Sequence, residues 1–92
     1  MTQSSQQPIV FYSKSSCPWA RAVRHVLDQN HLTYDERPID KDRANLAALR
    51  RETGQAEQPS LKIGDQWLVD TDAKAVAKHL GLPAPERVRI PA

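Results

Sequence analysis

The one thiol of the chain, Cys17, follows Phe11-Tyr-Ser-Lys-Ser-Ser16 and is followed at once by Pro18 and Trp19. A proline at that point suits the first turn of a helix, where its missing N–H would lack a partner in any case. Upstream, Pro8-Ile-Val-Phe-Tyr-Ser13 is a short apolar run that predicts a buried strand. Cys17 is therefore expected where strand, polar loop and helix meet. Unpaired N–H groups and the positive end of the helix dipole favour negative charge there, and so favour a thiolate. The thiolate is the nucleophile of disulfide exchange. Lys14 stands three residues before Cys17 and Arg21 four after it, which adds positive charge nearby. A lone cysteine in a reducing compartment can equally be a small buried hydrophobe. Its placement turns the reading towards a functional thiol.

A single cysteine excludes an internal disulfide and a Cys-rich zinc site. His25, His31 and His79 are far apart in sequence and have no carboxylate or Cys at ligand spacing, so they read as surface residues rather than metal ligands. With 92 residues, the chain has room for one domain and one modest core. Apolar residues at 39% and charged residues at 26% fit a globular fold. A net charge of +2 with dispersed Lys and Arg gives no basic stripe for nucleic acid. No apolar run approaches a membrane span, and the polar start Met1-Thr-Gln-Ser-Ser-Gln-Gln7 does not look like a signal peptide. A cytoplasmic, monomeric protein is the expectation.

The elements that must position Cys17 follow from the pattern. Ala22, Val23, Val26 and Leu27 recur at helical spacing between Pro18 and Asn30, with Arg21, Arg24 and Asp28 mostly opposite. Leu32–Ile39 alternates as a second strand, and Pro38 places its end at an edge. Asp40 is the expected N-cap of a helix from Lys41 to Thr53 that turns Leu46 and Leu49 inward and ends at Gly54. Ser60–Ile63 and Gln66–Val69 flank Gly64-Asp65, which reads as a hairpin turn. Trp67 on that hairpin reads as packing. Asp70 or Thr71 is expected to cap a last helix running to Leu80, closed by Gly81. The order β-α-β-α-β-β-α predicts an α/β fold, a four-stranded mixed sheet with three helices. The expected domain is 1–82, with a Pro-rich tail over 83–92.

Tyr12-Ser-Lys-Ser-Ser-Cys-Pro-Trp19 resembles the active-site segment of the glutaredoxins, which have a thioredoxin-like fold. Thr53-Gly54 followed by Pro59 and a strand is similar to the family loop that ends in a cis-proline, and Thr71-Asp72 is similar to the Thr/Ser-Asp step that opens its last helix. Leu68–Val76 also resembles the actinobacterial relatives called mycoredoxins. The resemblance implies a thiol–disulfide oxidoreductase that binds no resident cofactor. It would act on mixed disulfides between proteins and a low-molecular-weight thiol such as glutathione, mycothiol or bacillithiol. By the same resemblance, Cys17 is the nucleophile and Lys14 stabilises its thiolate or meets a carboxylate of the small thiol. Trp19 walls the groove, Gln58 offers its backbone to the small thiol's cysteinyl unit, and Pro59, if cis, holds that edge. Asp72, with Thr71, meets the α-amino group of a γ-glutamyl unit. The plainer readings of Lys14 as a surface lysine and of Thr71-Asp72 as a cap stand beside these.

Three departures bear on mechanism. Ala20 occupies the position of the usual second active-site cysteine, which leaves only a monothiol cycle; a native alanine and an engineered replacement read alike. Glu57 stands where glutaredoxins usually have Thr, and Leu68-Val69 where they have Gly-Gly. Glu57 and Asp70 would repel the carboxylates of glutathione by about 1 kcal/mol per contact pair in water. Two other functions compete. A dimer could hold a [2Fe–2S] cluster between two Cys17 thiolates and two external thiols, though Pro18 and Trp19 depart from the Cys-Gly-Phe-Ser of such carriers. Cys17 and Arg21 also fit the Cys-x-x-x-Arg spacing of arsenate-type reductases. If Cys17 is only a core residue, the chain is a thioredoxin-like scaffold.

Overall fold

The computed structural model describes residues 7–82. The expected tail at 83–92 and most of the polar lead-in lie outside them. The elements run β1 (Ile9–Ser13), α1 (Pro18–Gln29), β2 (Asp35–Pro38), α2 (Arg43–Thr53), β3 (Ser60–Ile63), β4 (Gln66–Leu68) and α3 (Ala73–Leu80). The sheet order is β2-β1-β3-β4. β1 pairs parallel with β2 and antiparallel with β3, and β3 pairs antiparallel with β4. This is the thioredoxin-like α/β fold, with three helices and a four-stranded mixed sheet.

Strand alternation divides the side chains between the two faces. Ile9, Phe11, Leu61 and Ile63 turn to one face and meet Val23 and Leu27 of α1 and Val76 and Ala77 of α3 in a single core. Burying each such large side chain contributes about 1.5–3 kcal/mol. Val10, Tyr12 and Trp67 turn to the other face, where they line a cleft with Ala48 and Arg51 of α2. Trp67 stacks on Tyr12, with ring centroids 5.8 Å apart, and so packs as its place on the hairpin implied. Leu49 is the fully buried anchor of α2, while Leu46 is only partly buried. His25, His31 and His79 are all exposed.

Several boundaries differ from the sequence expectation. β2 begins at Asp35, not Leu32, because Leu32 instead donates its N–H to Leu27 O at 3.0 Å and closes off α1. The N-cap of α2 is Asp42, whose side chain accepts from Ala44 N, and the helix starts at Arg43. Asp40, the expected cap, is engaged elsewhere. The cap of α3 is Asp72, in line with the reading of Thr71-Asp72 as a cap, and not Asp70 or Thr71; its Oδ1 accepts from Ala75 N at 2.8 Å. β4 stops at Leu68, one residue short. The hairpin turn forms at Gly64-Asp65 with Gly64 at φ 59°. A glycine with positive φ at the first central position is what a type II′ turn requires, so the Gly-Asp order fits the turn.

An ion pair joins α1 to the edge of the sheet on the core side. The Arg24 guanidinium donates from Nε to Glu36 Oε1 at 2.8 Å and from Nη2 to Oε2 at 2.5 Å. Ser13 Oγ donates to the same Glu36 Oε2 at 2.8 Å. Arg24 therefore belongs to the packed structure rather than to the solvent face. The Arg24 hydrogen bonds hold the Glu36 carboxyl below its ordinary 4.5; desolvation opposes them and the Ser13 hydroxyl assists. Next to it, Tyr34 meets Phe11 edge-on and donates to Asp28 at 2.7 Å. Burial first, and then the Asp28 carboxylate, pushes the Tyr34 hydroxyl up to about 12.

A folded-state pKa depressed below the unfolded value contributes stability that is complete above the unfolded value and lost as pH falls through the folded one. Glu36→Gln is expected to cost about 1 kcal/mol at neutral pH in urea unfolding. The gap between wild type and variant should close on acidification below 4.5. A gap that stays constant down to acid pH would show that the Glu36 charge does not supply it.

Candidate active site

Cys17 is itself the N-cap residue of α1, with extended backbone at φ −81° and ψ 121°, and Pro18 follows as the first helical residue. Its side chain makes no capping hydrogen bond, so the sulfur is left to other uses. The thiol is partly exposed and packs at the edge of the core. A turn over Ser15 and Ser16, closed by Cys17 N donating to Lys14 O at 3.1 Å, carries the chain from β1 into the helix. Lys14 and Trp19 are exposed on either side of it. Ala20, one turn further on, is fully buried in the core.

The second half of the site comes from the start of β3. Tyr12 pairs with Ser60, so the carboxyl end of β1, which feeds the Cys17 turn, lies beside the residues just before Ser60. The Gln58–Pro59 peptide bond is cis. Pro59 is buried, and its carbonyl accepts from Thr71 N at 2.8 Å, which brings the start of α3 to the same place. The Gln58 N–H and C=O make no hydrogen bond among the described residues, and its buried Oε1 has no partner there. Asp72 spends Oδ1 on its helix, and Oδ2 makes no hydrogen bond with the described residues. The loops thus gather Lys14, Cys17 and Trp19 with Gln58, Pro59, Thr71 and Asp72 at one end of the sheet.

Three residues play supporting roles that had no signal in the sequence. Ser60, fully buried, donates its hydroxyl to Glu57 O at 2.8 Å and accepts from Asp70 N at 3.0 Å. It ties the loop before Pro59 to the segment before α3. Asp70 sits there at φ 51°, a left-handed conformation that costs energy for a non-glycine residue. The Asp40 carboxylate accepts from both the N–H and the hydroxyl of Ser15, at 3.2 and 3.1 Å. Desolvation works to raise the Asp40 carboxyl, but the two Ser15 bonds, together with Asp40's own backbone and the Lys41 charge, hold the group below its ordinary value. The two large apolar side chains that stay exposed among the described residues are Trp19 and Val69. Glu57 and Asp70 are exposed as well.

A family model described as glutaredoxin matches residues 9–68. The chain is a member of the glutaredoxin family. That membership carries thiol–disulfide oxidoreductase chemistry in general terms. A sequence search of curated proteins gives no match. Among solved structures, the chain is similar to the buckwheat glutaredoxin–glutathione complex at 28% identity and TM-score 0.65, over 82% of this chain and 71% of that one. It is similar to the holo form of glutaredoxin C1 from Populus tremula × tremuloides at 27% identity and TM-score 0.63, over 82% and 76%. The glutaredoxin-like protein NrdH-redoxin from Escherichia coli shares the fold at 19% identity and TM-score 0.66, over 85% and 99%. No helix among the described residues is long and apolar enough to cross a membrane.

Ser60→Ala removes both ties and leaves the Asp70 N–H without its acceptor. It is expected to lower stability by about 1–3 kcal/mol. Amide hydrogen exchange at Asp70 and Thr71 should accelerate more than exchange in β1. Uniform acceleration across the sheet would mean that Ser60 supports the core rather than the site.

Proposed function

We propose that the chain is a monothiol glutaredoxin that resolves mixed disulfides between proteins and a low-molecular-weight thiol. The carrying observation is the pairing of a partly exposed Cys17 at the start of α1 with a fully buried Ala20 where a resolving thiol would stand. The Cys17 thiolate attacks the small-thiol sulfur of the mixed disulfide. A Cys17–small-thiol bond forms, the protein–small-thiol bond breaks, and the protein thiolate leaves and takes a proton from solvent. A second small-thiol thiolate then attacks the small-thiol sulfur held on Cys17. The two small thiols leave as their disulfide, and the Cys17 thiolate returns. The protein sulfur is reduced to a thiol, and the second small thiol is oxidised into the disulfide that leaves.

The same reading assigns the neighbours. Lys14 supplies positive charge beside the sulfur. The unpaired Gln58 N–H and C=O receive the cysteinyl unit of the small thiol as a short added strand, a common mode of peptide capture. Pro59, which has no N–H, forms the edge beside the sulfur. Thr71 and the free Oδ2 of Asp72 receive an amino or hydroxyl group, and Trp19 walls the groove. Glu57 and Asp70 disfavour a small thiol with carboxylates at both ends. This reading therefore keeps mycothiol and bacillithiol beside glutathione, in a reducing cytoplasm.

The test is intact-mass analysis of the reduced full chain after brief exposure to the disulfide of each small thiol. One adduct per chain is expected, absent in Cys17→Ser and removed by excess of the matching thiol. Ala20→Cys should lose the adduct without added thiol, because a neighbouring thiol one turn away can expel it. The double change Glu57→Thr with Asp70→Gly should speed adduct formation with glutathione disulfide by up to about 30-fold, from the relief of two contact repulsions of about 1 kcal/mol each. No adduct on the folded chain with any small thiol would overturn the oxidoreductase reading.

A further inference from the structure

Between β2 and α2 the chain passes directly against the turn that carries Cys17. Ile39 N donates to Ser13 O at 2.8 Å, at the last residue of β1. One residue on, Asp40 Oδ1 accepts both the N–H and the hydroxyl of Ser15. Ser15 is the first central residue of the Lys14–Cys17 turn, the position whose dihedral angles set the direction of the turn. The two partners are separated by 25 residues, so this is a tertiary contact and not a local motif. Asp40 does not serve its own helix, because Asp42 fills that role. Ser15 and Asp40 are both exposed, and neither side chain packs in the core. Two hydrogen bonds therefore converge on one carboxylate oxygen with no packing to explain them, and what they hold is the approach to Cys17.

We propose that Asp40 is a positioning residue for Cys17, a clasp from the β2–α2 connection that fixes the Ser15 corner of the turn and thereby keeps the sulfur at the N-terminus of α1. The clasp rests on the reading of Cys17 as the nucleophile and adds a contribution from the β2–α2 connection to it. With the clasp closed, the turn has two anchors outside itself, at Ser13 and Ser15. With it open, only the Ser13–Ile39 bond and the internal Lys14–Cys17 bond remain. The Cys17 backbone then samples orientations in which the sulfur leaves the field of the α1 N–H groups.

The experiment measures the second-order rate of Cys17 with dithiodipyridine, a small disulfide that needs no binding groove. Cys17 forms a mixed disulfide with one half of the probe while the other half leaves as a coloured thione. Asp40→Ala is expected to slow the reaction by about 3- to 10-fold, in line with the loss of two modest hydrogen bonds. Asp40→Asn keeps an oxygen acceptor at the same place and should recover most of the rate, whereas Ser15→Ala, which loses one bond of two, should fall between. Amide exchange at Ser15 and Cys17 should quicken in Asp40→Ala, with the melting temperature and the exchange of β3 little changed. A wild-type rate in Asp40→Ala, or an Asp40→Asn rate as slow as that of Asp40→Ala, would overturn the clasp while leaving the thiol reading intact. Should Asp40→Ala not fold, Ser15→Ala decides: a slower rate supports the clasp and a wild-type rate overturns it. An unreactive Cys17 in the wild-type chain would instead remove the reading on which the clasp rests.

Discussion

The hydrogen-bonded pairing of β1 with both of its neighbours fixes where every other part of the molecule can go. β1 is central, parallel to β2 on one side and antiparallel to β3 on the other. Its carboxyl end must therefore lie beside the amino end of β3, and each loop that leaves or enters there has to share the same small region. Cys17 arrives from one loop and Pro59 from the other. The core below, with Phe11 and Leu61 both fully buried, sets the height at which the two loops meet. The site is a property of register first and of side chains second.

Around that meeting point, polar side chains do what the short loops cannot. Ser13 and Ser15 each direct a hydroxyl or amide to a partner distant in sequence, Glu36 and Asp40, and Ser60 joins the nearby Glu57 carbonyl to the Asp70 N–H ten residues on. Serine suits this use because its hydroxyl donates and accepts within a small volume. Ser13 and Ser60 are fully buried, and a buried hydroxyl left unpaired is costly, so each bond also selects the loop conformation that provides it. The Arg24–Glu36 pair adds a charge-assisted link between α1 and the sheet edge. The thiol-bearing helix is thereby tied to the core face of the sheet by apolar packing and, at the edge of that face, by charge.

Much of this was legible from local pattern. The apolar run of β1, the spacing of Val23, Val26 and Leu27, the glycines at both helix ends and the Gly64-Asp65 turn are all local consequences of side-chain type. The place of Cys17 before Pro18 also survives unchanged in the structure. What local pattern misassigned was which aspartate caps which helix. Two candidates stand before α2 and two before α3, and any of them could satisfy a free N–H. Before α2 a contact from elsewhere settles the choice, since Ser15 takes the Asp40 carboxylate, and before α3 the helix start at Ala73 places Asp72 next to the free N–H. The length of β2 was overread for a related reason: Leu32 alternates like a strand residue, but its amide is spent on closing α1. The Ser15–Asp40 bonds, 25 residues apart, have no signature within a window of neighbouring residues.

The two rims of the sheet have their own consequence. A strand at an edge presents unpaired N–H and C=O groups that can template pairing with another chain. β2 forms one rim with the sequence Asp35-Glu-Arg-Pro38, three charged residues and a proline that cannot donate. β4 forms the other and is only three residues long. Neither rim offers a long, neutral, hydrogen-bonding ladder to an incoming strand. The backbone that could template a growing ribbon is thus, among the described residues, charged and proline-ended at one rim and very short at the other.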